Sequence, residues 1–131
     1  MKNTHISLFR NLTDIFPQDI TLSEFLQLGN KHLNTIEQIR SSLEKSTRDR
    51  IKRSQLPAAT ISAILSTRES SQPLEKRIIQ YNPLLVLDFD NLPDIEEAKR
   101  ILATLPYVYY AGLSVSGRGL FATVKYRLPR Q

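Results

Sequence analysis

The segment Pro83-Leu84-Leu85-Val86-Leu87-Asp88-Phe89-Asp90 limits the fold more than any other stretch. Leu84 to Leu87 form the longest aliphatic run in the chain, far too short to cross a bilayer. A continuous apolar run of strand length, closed by acids, predicts a strand buried on both faces in the middle of a sheet. The residues beyond it fit a sheet with helices. Pro93 and Asp94 open a helix over residues 94–105, with acids in its first turn and an apolar stripe of Ile95, Ala98, Ile101, Leu102 and Leu105. Residues 107–114 read as a strand, Ser116-Gly117-Arg118-Gly119 as a turn, and residues 120–126 as the returning strand of a hairpin.

The first half is less regular. Ile6-Ser7-Leu8-Phe9 alternates like a short first strand. Thr21 with Glu24 has capping-box spacing and starts a helix that carries Leu22, Phe25 and Leu26 and ends at Gly29. Leu33, Ile36, Ile39 and Leu43 predict a second helix, and residues 47–55 a third, very polar one that Pro57 ends. Residues 58–65 suit a buried strand, and residues 67–72 a polar connection. The expected architecture is α/β (α+β): one mixed sheet with helices packed on it, forming a single domain over residues 1–131.

Composition narrows the chemistry. There are no cysteines, which excludes disulfides, thiolate zinc sites and cysteine nucleophiles. No signal-peptide pattern is present, and a reducing cytoplasm is the expected compartment. Lys and Arg outnumber Asp and Glu by 18 to 13, a net charge of +5 that favours polyanions, nucleic acid first among them. Basic residues concentrate between Arg40 and Arg53, where Arg48, Arg50, Lys52 and Arg53 are the candidates for nucleic-acid contact. A solvated helix face laced with ion pairs explains the same run equally well. His5 and His32 are isolated and suit surface or packing roles.

Two short patterns carry the chemical argument. Asp88 and Asp90 are two residues apart on a strand, so both point to one side and Phe89 to the other. Neighbouring carboxylates raise each other's pKa unless a cation compensates them, and a Mg²⁺ or Mn²⁺ ion does so with oxygen ligands. The plainer alternative has Asp90 and Asn91 capping the turn before Pro93, which leaves Asp88 unexplained. Downstream, Ser114-Val115-Ser116-Gly117-Arg118-Gly119 offers hydroxyl and guanidinium donors on a glycine-rich turn whose amides could form an anion-binding concavity. An ordinary hairpin turn is the competing reading. Tyr107, Tyr109 and Tyr110 either pack the sheet or stack on bases.

The order of an Asp-x-Asp-Asn strand end, a helix, a strand, Ser-x-Ser-Gly-x-Gly and a further strand resembles the N-terminal domain of virulence-associated protein E, which is related to archaeo-eukaryotic primases and primase-polymerases. Lys52-Arg53-Ser54-Gln55-Leu56-Pro57-Ala58 resembles the basic Leu-Pro-Ala segment of that family, and Arg68 sits where a basic residue is common. The likeness covers about residues 40–126. It implies a nucleotidyl-transfer domain of a mobile-element or phage replication protein, a metal-dependent primase or polymerase. Asp88 and Asp90 would be the catalytic, metal-binding pair. Ser114, Ser116, Gly117, Arg118 and Gly119 would hold the nucleoside triphosphate, and Arg48, Arg50, Lys52, Arg53 and Arg68 the nucleic acid, DNA above all. A helicase domain or protein is the implied partner. Phe121 stands where active relatives have histidine, and a third acidic motif would fall beyond Gln131. These departures favour the alternative of a catalytically inactive nucleic-acid-binding or assembly module. A sensor of free nucleotide is a third reading.

Overall fold

The computed structural model describes residues 3–127, and the chain divides into two compact units, Met1–Asn82 and Pro83–Gln131. The α+β class expected from the sequence is found: helices alternate with short strands. Among the described residues, however, the strands form three small antiparallel sheets instead of one mixed sheet.

In the first unit, β1 (His5–Phe9) lies between β2 (Gln18–Thr21) and β3 (Ala58–Thr60). Side chains alternate along β1, so Ile6 takes one face and Ser7 and Phe9 the other; Ile6 and Phe9 are fully buried. Two strands, β4 (Ala63–Leu65) and β5 (Ile78–Tyr81), pair in a second sheet. The stretch 58–65, which reads as one strand, therefore serves two sheets, with Ile61 and Ser62 between them. Buried side chains stitch the sheets together. The Ser7 hydroxyl accepts the Leu65 amide at 2.9 Å, and Asn82 Nδ2 donates to the carbonyls of His5 at 2.8 Å and Ile61 at 2.9 Å. Phe9, Ala63, Leu65 and Ile78 form an apolar cluster beneath.

Helices α1 (Leu22–Gln27), α2 (Leu33–Ser41), α3 (Lys45–Gln55) and the one-turn α4 (Leu74–Arg77) complete this unit. The N-cap half of the capping box is present: the Thr21 hydroxyl accepts the Glu24 amide at 3.2 Å, and it also donates to the Glu24 carboxylate at 3.1 Å. A turn of 3-10 helix, Leu28–Lys31, follows α1 at the glycine. Most of α3 is exposed, with Ile51 its buried residue.

The loop after β1 is held by polar contacts. Asn11 Oδ1 accepts the amides of Thr13 and Asp14, an Asx turn. Asp14, itself buried, accepts the backbone amides of Arg10 and Phe16. These amides, with the Arg10 guanidinium, hold its carboxyl at about 2, below the ordinary 3.8. A depressed carboxylate contributes stability that is complete above its unfolded value and disappears as pH falls through the folded one. Acid titration of the folded protein is thus expected to show a loss of stability between about pH 4 and pH 2. Asp14→Asn, followed by circular dichroism at each pH, should lack that step.

The second unit is β6 (Leu84–Phe89), α5 (Ile95–Ala103), β7 (Val108–Leu113) and β8 (Leu120–Lys125). Asp94 caps α5 by accepting the Glu97 amide at 3.0 Å, and α5 packs against β7. The sheet order is β6-β8-β7, so β8 is central and carries the buried Leu120, Ala122 and Thr123. Here the structure corrects the expectation for the apolar run. β6 is an edge strand, with Leu85 at 47%, Val86 at 39% and Leu87 at 44% exposure. A run of apolar residues reports the character of both faces of a strand; it does not report how many neighbours the strand has in its ladder.

Candidate functional site

The two chemical patterns of the sequence meet in the second unit. Asp88 is the penultimate residue of β6, and Asp90 lies one residue past its end; both are exposed. β6 runs antiparallel to β8 with Asp88 opposite Phe121 and Phe89 opposite Leu120. The strand end therefore lies beside the hairpin formed by residues 114–119.

Gly119 makes the contact close. A Cβ built there would stand 1.9 Å from the Phe89 carbonyl oxygen and 3.2 Å from Asp90 Cα. No side chain fits. The hairpin lies directly on the backbone of the acidic segment because this residue is glycine. The Leu92 amide donates to the Arg118 carbonyl at 3.2 Å, and Asn91, just before it, takes φ 52, a left-handed conformation that asparagine tolerates. Asn91 thus shapes the turn through its backbone.

Within the hairpin the amides are turned inward. Gly117, at φ 77, donates to the Ser114 carbonyl at 2.9 Å. The Ser114 hydroxyl accepts the Gly119 amide at 3.2 Å and bonds the Ser116 hydroxyl at 3.2 Å. Arg118 donates Nη1 to the Ser116 carbonyl at 3.2 Å. The amides of Gly117 and Gly119 are thus committed within the turn. Any phosphate would meet serine hydroxyls and the guanidinium of Arg118.

Two carboxylates are a sparse metal site. Among the described residues no group of three or more His, Asp or Glu is placed to hold an ion. Mg²⁺ characteristically takes one or two protein carboxylates and fills its octahedron with water and substrate phosphates, so the Asp88 and Asp90 donor set fits that mode of binding.

The basic residues of the first unit divide by role. Arg68 lies with its guanidinium 3.8 Å above the Phe9 ring. Its Nε donates to the Asp14 carbonyl at 3.1 Å, and its Nη2 to those of Asn11 at 3.1 Å and Leu12 at 2.9 Å. Burial lowers its pKa, and the Asp14 charge opposes that shift. Arg68 thus clamps the loop after β1. Arg48 donates to the carbonyls of Ser42 at 3.0 Å and Leu43 at 2.9 Å, just past the C-terminus of α2, and so fixes the α2–α3 turn. Lys45 pairs with Asp49 at 3.2 Å. Arg50, Lys52 and Arg53 are exposed along α3. The sequence has no means to set Arg68 apart, because its carbonyl partners are more than fifty residues away. A cavity lined by residues 30–35, including His32, coincides with none of the expected site residues.

Comparison with known families decides the kinship. Residues 51–131, more than half of the chain, match the BT4734-like, N-terminal domain family. The chain belongs to that family. The likeness to virulence-associated protein E is overturned by this match, and the primase, replication and mobile-element vocabulary drawn from it goes with it. The BT4734-like match takes in all of β6, α5, β7 and β8, hence both chemical patterns, and begins inside α3 at Ile51. No curated protein and no solved structure matches the chain. Among the described residues, no helix is long and apolar enough to cross a membrane.

Proposed function

We propose that this BT4734-like domain binds a nucleoside triphosphate through a divalent cation held by Asp88 and Asp90, and engages nucleic acid along α3. The observation that carries the first part is the seating of Gly119 on the Phe89–Asp90 backbone, which joins the acidic strand end to the serine-arginine hairpin. A cation between the carboxylates and the phosphates would neutralise both; Ser116 and Arg118 supply donors that suit phosphate oxygens. Asp88 and Asp90 would hold the cation, with Phe89 on the side of β6 opposite Asp88. Asp88 and Asp90 are exposed, so both can take up an ion from solvent without prior opening.

Arg50, Lys52 and Arg53 favour the nucleic-acid part, since they are exposed on one polar helix in a chain of net charge +5. The test is calorimetric titration of Mn²⁺ with nucleoside triphosphate into the wild type and the Asp88→Asn/Asp90→Asn double variant. Binding in the wild type and its loss in the variant is the expected result. Equal binding by both, or none by either, sinks the metal-nucleotide reading. Nucleic-acid binding that persists in the double variant and falls with Lys52→Ala/Arg53→Ala would mark a binding module independent of the metal.

A further inference from the structure

The face of the second sheet that carries Asp88 also carries an aromatic pair. Cross-strand partners share a face, so Asp88, Phe121 and Gly112 lie in one row, and Val86, Thr123 and Tyr110 in the next. The Tyr110 and Phe121 rings are 5.4 Å apart between centroids and inclined at 39°. Both side chains are half-buried, whereas Thr123 and Leu84 of the same face are fully enclosed, so the open part of this face is the end that carries Asp88.

Gly112 explains how Tyr110 reaches the row of Asp88. A Cβ at Gly112 would lie 2.8 Å from both Cε1 and the hydroxyl of Tyr110. The hydroxyl end of the tyrosine ring therefore lies over the glycine, along the sheet toward the hairpin. The result is an aromatic surface, part open to solvent, one cross-strand step from a carboxylate.

We propose that Phe121 and Tyr110 form a stacking platform for the nucleobase of the nucleotide whose phosphates the Asp88–Asp90 cation holds. The proposal rests on the metal-nucleotide reading and adds the part of the ligand that the phosphate site leaves unaddressed. Aromatic rings stack on any base, because every base has a π-face, so the platform selects nucleotides over bare polyphosphate and discriminates little among bases.

Titration calorimetry with Mn²⁺ and ATP, beside Mn²⁺ and inorganic tripolyphosphate, separates base stacking from phosphate binding. The expected result is that ATP binds roughly tenfold or more tightly than tripolyphosphate. Phe121→Leu should bring ATP down to the tripolyphosphate affinity and leave tripolyphosphate unchanged, while Phe121→Tyr keeps the preference. Equal affinity of the wild type for both ligands, or a preference that survives Phe121→Leu, overturns the platform and leaves the phosphate site standing. Failure of both ligands to bind the wild type overturns the metal-nucleotide reading and the platform with it. If Phe121→Leu also loses tripolyphosphate, Tyr110→Leu makes the comparison, and a preference that survives it overturns the proposal.

Discussion

Gly119→Ala is expected to destabilise the second unit by roughly 3 kcal/mol, at the upper end of what overpacking costs, because its methyl group would be 1.9 Å from the Phe89 carbonyl oxygen. The obstacle is backbone in a paired strand, not the tip of a flexible side chain. Relief requires β6 and β8 to separate at the Phe89–Leu120 register or the hairpin to shift. Either movement also draws Ser114 and Arg118 away from Asp90, so metal-nucleotide binding should fall with stability. Urea unfolding followed by tyrosine fluorescence checks this, since Tyr107, Tyr109, Tyr110 and Tyr126 all lie in the second unit and the chain has no tryptophan. Gly29→Ala is the control. Its Cβ would meet only Ile36 Cδ1 at 3.9 Å, an ordinary contact, and its effect should stay within about 0.5 kcal/mol. An unchanged midpoint for Gly119→Ala would refute the close approach.

Arg68→Met should cost the first unit about 2 to 3 kcal/mol, the range for hydrogen bonds made by a charged group whose partners are then left unpaired. Methionine keeps an apolar stem over Phe9 but removes every donor to Asn11, Leu12 and Asp14. Arg68→Lys is expected to recover less than half of the loss. An ammonium group has no planar fork with which to reach three carbonyls at once. Thermal unfolding by circular dichroism measures both variants. If Arg68 served nucleic acid instead, both would leave stability unchanged and weaken binding.

What the sequence discloses depends on the range of the interaction. Capping and turn chemistry are local, and they are legible: Thr21 with Glu24, Asp94 at the start of α5, and the glycine turn between β7 and β8 all occur where the residue types place them. The approach of the Asp-x-Asp strand end to the hairpin is also foreshadowed, because only α5 and β7 lie between them. Sheet membership is not local. Ala58 to Leu65 has one uniform apolar character, yet pairing with β1 and with β5 divides it. β2 and β5 are polar enough, with Gln18, Asp19 and Gln80, to escape a search for apolar alternation. The partners of the basic residues are legible only in part. Charge is visible in the residues, and the partners of Arg48 are only five and six residues away, whereas the carbonyls that occupy Arg68 belong to backbone whose position only the fold decides.

The sheet order β2-β1-β3 sets the unit of kinship apart from the unit of folding. The family match starts at Ile51, inside α3, but β3 finds its ladder partner in β1, residues 5–9. Asn82 is anchored to His5, Arg68 to residues 11–14, and Leu65 to Ser7. A segment trimmed to residues 51–131 would carry all the matched sequence and lose the other half of each of these bonds. Laboratory fragments meant to isolate the domain should therefore retain β1, although it lies outside the span that defines the kinship.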